Sequence, residues 1–226
     1  MPNWCDNQLS ITGPNSVIDK IEKIVKADDS HKNTGLLNFM YPMPKALDNT
    51  TAPLQNDATK KEKEKAKRNR FEYGFDNWYD WRCENWKTKW EVCEFYGVDR
   101  QYLTEQNEGE SVITMGFSSA WAPPIGAYEK FLEDNPECSV RAFYYEGGCD
   151  FMGEWDNGQD DCYAPSDYKS DDCFWKDGVG STLDDTFNIT ESMAEYEEEE
   201  RLRKEAEKED VHEYTKGNKM NIGEEV

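Results

Sequence analysis

Hydrophobic and polar positions alternate cleanly at the start of the chain. In MPNWCDNQLSITG, Cys5, Asn7, Leu9 and Ile11 fall on one side, and Asp6, Gln8, Ser10 and Thr12 on the other. A period of two predicts a half-buried strand. Gly13-Pro14-Asn15 turns the chain, and Val17, Ile18, Ile21, Ile24 and Val25 then repeat as one face of a helix. Leu36, Leu37, Phe39 and Tyr41 predict a second strand, ended by Pro42 and Pro44.

Further on, Phe75, Trp78, Trp81 and Trp86 cover one face of a short helix, and Trp90 opens the next segment. Residues 100–106 and 111–118 flank Asn107-Glu108-Gly109-Glu110, a hairpin signal, with Ile113, Met115 and Phe117 on one face. Pro123 and Pro124 fit only the first turn of a helix, whose apolar side is Ile125, Tyr128, Phe131 and Leu132. SVRAFYY is another strand, and Gly147-Gly148 allows a tight return into CDFMGEW. Residues 156–182, rich in Asp, Gly and Ser, are expected to be loop. Over 184–210 few positions are apolar, but Glu197–Arg201, Glu199–Arg203 and Glu200–Lys204 stand at i, i+4 in the favourable order. This is a solvated helix, docked through Ile189, Met193 and Tyr196.

The order of elements predicts an α+β fold: a ferredoxin-like βαβ-βαβ antiparallel sheet with its helices on one face. The domain spans 1–158 with an insertion at about 45–75, and 159–226 forms an acidic loop and C-terminal helical extension. Apolar residues make up only 36% of the chain, but aromatics reach 13%, so a dense aromatic core offsets the polar average. KKEKEKAKRNR at 60–70 reads as an exposed, charged loop or helix within the insertion.

Charge sharpens this division. Formal net charge is −22, and residues 138–226 hold 25 acids against 9 bases, a net of −16. Such a field repels nucleic acid and anionic membrane and attracts basic surfaces. No stretch is apolar enough to span a bilayer and no secretory pattern opens the chain, so a cytoplasmic location is expected. The seven cysteines form no CxxC pair and read mostly as small buried hydrophobes.

Catalytic motifs are missing. There are two histidines, His31 and His212, and no GxSxG, HExxH or GxxxxGK. The spacing of Cys149, Cys162, Cys173 and the acids around them suits neither a zinc finger nor an EF-hand. No catalytic residue, metal or cofactor is therefore assigned.

Five ordered blocks carry a resemblance: MPNWCDNQLSITGP at 1–14, LLNFMYPMP at 36–44, WYDWRCENWKTKW at 78–90, FSSAWAPP at 117–124 and YYEGGCDFMGEW at 144–155. Together they resemble the YubB-type ferredoxin-like domain family of phage and plasmid proteins. The resemblance implies the same fold and a mobile-element origin, and transfers no activity. Two blocks depart from the family pattern. The family reads WGTKW where this chain has Trp86-Lys87-Thr88-Lys89-Trp90, so a positive φ at Lys87 would be strained. FxTAWSPP becomes Phe117-Ser118-Ser119-Ala120-Trp121-Ala122-Pro123-Pro124, which keeps a hydroxyl at Ser119 and loses the one at Ala122.

The leading functional reading is a non-enzymatic phage or plasmid accessory protein. It would bind and inhibit a host protein, a nucleic-acid-binding or defence factor, through acidic residues including Glu197, Glu198, Glu199 and Glu200. The alternative is a binder of a nucleotide signal, using Trp4, Asn7, Trp86, Lys87, Lys89, Trp90, Ser119, Trp121 and Glu146 to stack on a base and pair with phosphate. An uncharacterised hydrolase is the third. Direct nucleic-acid and membrane binding are not expected.

Overall fold

The computed structural model describes residues 3–27, 35–103 and 109–221, with side chains as far as 208. The hairpin turn expected at 107–110 lies largely outside these residues, as does His31. The chain forms two compact units, Met1–Pro165 and Ser166–Val226.

The first unit is a mixed α+β body around a six-stranded antiparallel sheet. Strand β1 (Trp4–Pro14) leads into helix α1 (Asn15–Ala27). Next come α2 (Leu36–Met40), α3 (Lys60–Tyr73) and α4 (Trp78–Asn85). Strands β2 (Tyr96–Tyr102) and β3 (Glu110–Ala120), helix α5 (Ile125–Asp134) and strands β4 (Ser139–Glu146), β5 (Phe151–Asp156) and β6 (Gln159–Tyr163) follow. The strands lie in the order β2-β3-β1-β4-β5-β6.

Register explains the core. Leu9 stands opposite Met115 on β3 and Ala142 on β4, and Ile11 opposite Ile113 and Val140. All six are buried, together with Ile18 and Ile21 of α1 and Tyr128 and Phe131 of α5. The alternate face of β1, from Asp6 to Thr12, stays half-exposed. Arg100 clamps β2 to α1: its Nη1 donates to Asp19 and Glu22, each at 2.7 Å, and its Nε to Ser111 Oγ at 3.1 Å.

Three expectations are corrected. Residues 36–41 are not a strand. Leu36, Leu37 and Met40 bury at i, i+1 and i+4, and the Glu91 carboxylate caps the helix by accepting from Leu37 N at 2.7 Å and Asn38 N at 2.9 Å. Gly35 makes room for that cap, since a Cβ there would meet Glu91 at 2.3 Å. The strand that follows α1 in the sheet is instead β2.

The segment 156–182 is not all loop. Asn157 and Gly158 both adopt positive φ, 47° and 102°, and fold β5 and β6 into a tight hairpin. The sheet therefore runs past 158, and the compact unit ends at Pro165. The cysteines are the third correction: Cys5 and Cys138 are buried, whereas Cys149, Cys162 and Cys173 are exposed, on the β4–β5 turn, on edge strand β6 and in the second unit.

In the second unit, Trp175 is buried and donates Nε1–H to Lys169 O at 2.9 Å. Tyr168 stacks on Phe174 at 4.0 Å. Helix α6 (Gly178–Phe187) buries Leu183 and ends at Asn188, left-handed at φ 55°. Helix α7 (Ile189–Asn221) begins at buried Ile189, but Met193 is half-exposed and Tyr196 is exposed, so of the three expected apolar anchors Ile189 alone is fully buried. Among the described residues, no helix is long and apolar enough to cross a membrane.

Candidate functional site

Two turns meet at one end of the sheet. β1 begins where β3 ends, with Trp4 opposite Ala120 and Trp121 N donating to Asn3 O at 2.9 Å. The other turn follows α4, at Lys87. Both Lys87 and Trp121 are left-handed, with φ of 67° and 72°. A positive φ at a large side chain costs on the order of 1–3 kcal/mol and persists only where its surroundings enforce it. Here a hydrogen bond joins the turns: Thr88 Oγ1 donates to Ala120 O at 2.8 Å.

The stitched turns bring rings around one cation. The Lys89 ammonium lies 4.4 Å from the Trp90 ring centre, 5.3 Å from Trp121 and 5.6 Å from Tyr79. Trp4 packs on Trp90 at 5.8 Å, and Tyr79 meets Trp121 edge-on at 6.3 Å. Trp4 and Trp121 remain 50% and 38% exposed, so the cluster presents aromatic surface to water. Each such cation–ring contact is worth about 0.5–1 kcal/mol when exposed and ~2 kcal/mol when desolvated.

The nine candidate residues divide. Trp4, Lys89, Trp90 and Trp121 come together in this cluster. Asn7 and Ser119 are buried beneath it: Asn7 Nδ2 donates to Ser119 Oγ at 2.8 Å, and that hydroxyl donates to Ala122 O at 2.8 Å. They brace the turn carrying Trp121. Because the acceptor is a backbone carbonyl, the missing hydroxyl at Ala122 does not matter to it. Trp86 is wholly buried, with Nε1–H donated to Tyr41 O at 2.8 Å. Lys87 stands 3.7 Å from Glu84 and supplies the turn rather than a ring contact. Glu146, also buried, accepts from the backbone N–H groups of Gly148 and Cys149 and holds the β4–β5 turn.

Tyr79 is the member that sequence reasoning missed. It sits on α4 away from the Trp78–Trp81 side, and only an aromatic beside Cys83 on the polar face signalled it. The neighbouring Cys83 pushes the Tyr79 hydroxyl above its ordinary range.

The acidic candidates are largely engaged locally. Glu197 accepts from Ser170 N at 3.2 Å and Ser170 Oγ at 2.9 Å. Arg201 pairs with Glu198 and Glu205, and Glu200 with Lys204 and Arg203, so of the three expected pairs Glu200–Lys204 forms at 3.1 Å. Glu199 is exposed. Among the described residues, no group of three His, Cys, Asp or Glu is placed to hold a metal.

No family model and no curated protein sequence matches the chain. A crystal structure of a protein api92 from Yersinia pseudotuberculosis, described under the family model DUF1281, is similar at a TM-score of 0.36 and 12% identity. The match covers 73% of this chain and 95% of that one.

Proposed function

We propose that this protein is a non-enzymatic binding protein of mobile-element origin, and that its aromatic–lysine platform captures a nucleotide-like ligand. The β2-β3-β1-β4 part of the sheet, with α1 and α5 in the two crossovers, supports the ferredoxin-like arrangement, to which β5 and β6 add an edge. The origin rests on the five ordered sequence blocks.

The observation that carries the ligand reading is Lys89 held among three rings while Trp4 and Trp121 stay open to solvent. An exposed indole offers a base a stacking surface worth about 1–3 kcal/mol. Lys89 supplies the adjacent positive charge for a phosphate. Two strained turns keep these groups in register before any ligand arrives, which lowers the ordering cost of binding. Tryptophan fluorescence titrated with linear and cyclic nucleotides tests the reading. Saturable quenching, weakened at least tenfold by Trp121→Ala or Lys89→Ala, is expected. Unchanged fluorescence across the panel contradicts it.

One observation favours the second reading, an acidic competitor for a basic, nucleic-acid-binding host surface. The described side chains of α7 are almost all exposed and carry eight acids against four bases. Inhibition of a host nuclease should then weaken as salt rises, because exposed charges are screened over about 10 Å at 0.1 M. Salt-independent inhibition contradicts it.

A further inference from the structure

Helix α3 is unexplained by the core. Among its residues Asn69 alone is fully buried, and Phe71, its large apolar side chain, is 91% exposed. The helix is nevertheless firmly built. Thr59 and Glu62 form a capping box at its start, and Gly74 closes it in the left-handed conformation at φ 79°. Asn69 Nδ2 ties it to Ala46 O at 3.2 Å and reaches Asp76 O at 3.5 Å.

This scaffold carries seven bases and two acids between 60 and 70, a positive island in a chain of net charge −22. Lys63, Lys67 and Arg70 follow at i, i+4 and i+7 and line one wall of a groove of about 440 Å³, with Leu54, Gln55 and Asn56 opposite. Lys63 Nζ donates to the neutral Asn56 O at 3.2 Å, and Arg70 stands 3.5 Å from Asp76. Asp76 is the acid in the lining, so the groove keeps a surplus of positive charge. Like charges at i, i+4 destabilise a helix. Lys63 and Lys67 therefore repel each other until an anion lies between them. The three bases span about 10 Å along the axis at 1.5 Å per residue, which suits several linked phosphates better than one.

We infer that this groove is an anion site, distinct from the aromatic platform, that takes a ligand carrying two or more linked phosphate groups. The bases supply charge-assisted hydrogen bonds to the phosphate oxygens, and Arg70 can leave Asp76 for a doubly charged partner.

Calorimetric titration of the full chain with tripolyphosphate, at low salt, tests this. Saturable binding at one site per chain is expected, with affinity falling as salt rises and melting temperature rising with ligand. A Lys63→Ala/Lys67→Ala/Arg70→Ala variant should lose at least tenfold in affinity while keeping its far-ultraviolet circular dichroism, and Lys67→Ala alone should lose part. Lys89→Ala should bind as the parent does, which separates this site from the platform. Parent-like binding by the triple variant, loss of binding in Lys89→Ala, or an equal response to sodium sulfate at matched ionic strength would each overturn the inference.

Discussion

Thr88 and Ala120 lie 32 positions apart in sequence, and the Thr88 hydroxyl donates to the Ala120 carbonyl across 2.8 Å inside the protein. That bond fastens the Lys87 turn to the end of β3 and so sets Lys89 against Trp121. Neither turn alone places the cation among the rings. Replacing Thr88 by valine keeps the shape but leaves the buried carbonyl unpaired, which costs about 1–3 kcal/mol. Urea denaturation should show that loss, together with weaker ligand binding. A change below about 0.5 kcal/mol would mean the bond does not hold the turns.

Lys87 keeps its left-handed backbone although its side chain is about half exposed and pairs only with exposed Glu84. Lys87→Gly should relieve the strain and raise stability by up to about 1 kcal/mol, the surface pair with Glu84 being worth little. A destabilised variant would mean that the Lys87 side chain packs usefully, and thermal melting distinguishes the two.

The Tyr128 hydroxyl is wholly buried and has no hydrogen-bond partner. An unpaired buried hydroxyl is a desolvation cost, so Tyr128→Phe should be neutral or stabilising by about 1 kcal/mol. Destabilisation beyond about 1 kcal/mol would contradict this and mean that the hydroxyl is satisfied in the folded protein.

Glu22 provides a pH signature. Hydrogen bonds from Lys26 and from Arg100 hold its carboxyl below the ordinary carboxylate range. A depressed folded pKa contributes stability that is present above the unfolded value and is lost as pH falls through the folded one. The melting-temperature gap between the parent and Glu22→Gln should therefore be widest near neutral pH and close in acid. Comparing the two proteins cancels the relief of general negative repulsion that acid brings. A gap that widens on acidification contradicts the assignment.

Where one face of a repeat is buried, the chain spells out its own structure. Cys5 to Thr12, Val17 to Val25, and Ile113, Met115 and Phe117 fall where period alone puts them. Leu36 to Tyr41 does not, because six residues satisfy both a strand and a helix pattern. The deciding contact, the Glu91 cap, comes from more than fifty residues away. Asn157-Gly158 was a legible hairpin signal masked by the acidic composition around it. At the platform, the Trp and Lys residues were visible as residue types. Sorting buried Trp86 from exposed Trp4 and Trp121 required the register between β1 and β3. Asn7, Ser119 and Glu146 are polar residues whose partners are mostly backbone atoms, a role that composition does not disclose.

The indole N–H resonances of the eight tryptophans test the platform most directly, because NMR follows each ring separately during a nucleotide titration. Signals from Trp4, Trp90 and Trp121 should move together and saturate with a single affinity, while those of buried Trp86 and Trp155 stay in place. Stationary platform signals under a bound nucleotide, or no response from any indole across the panel, would contradict it.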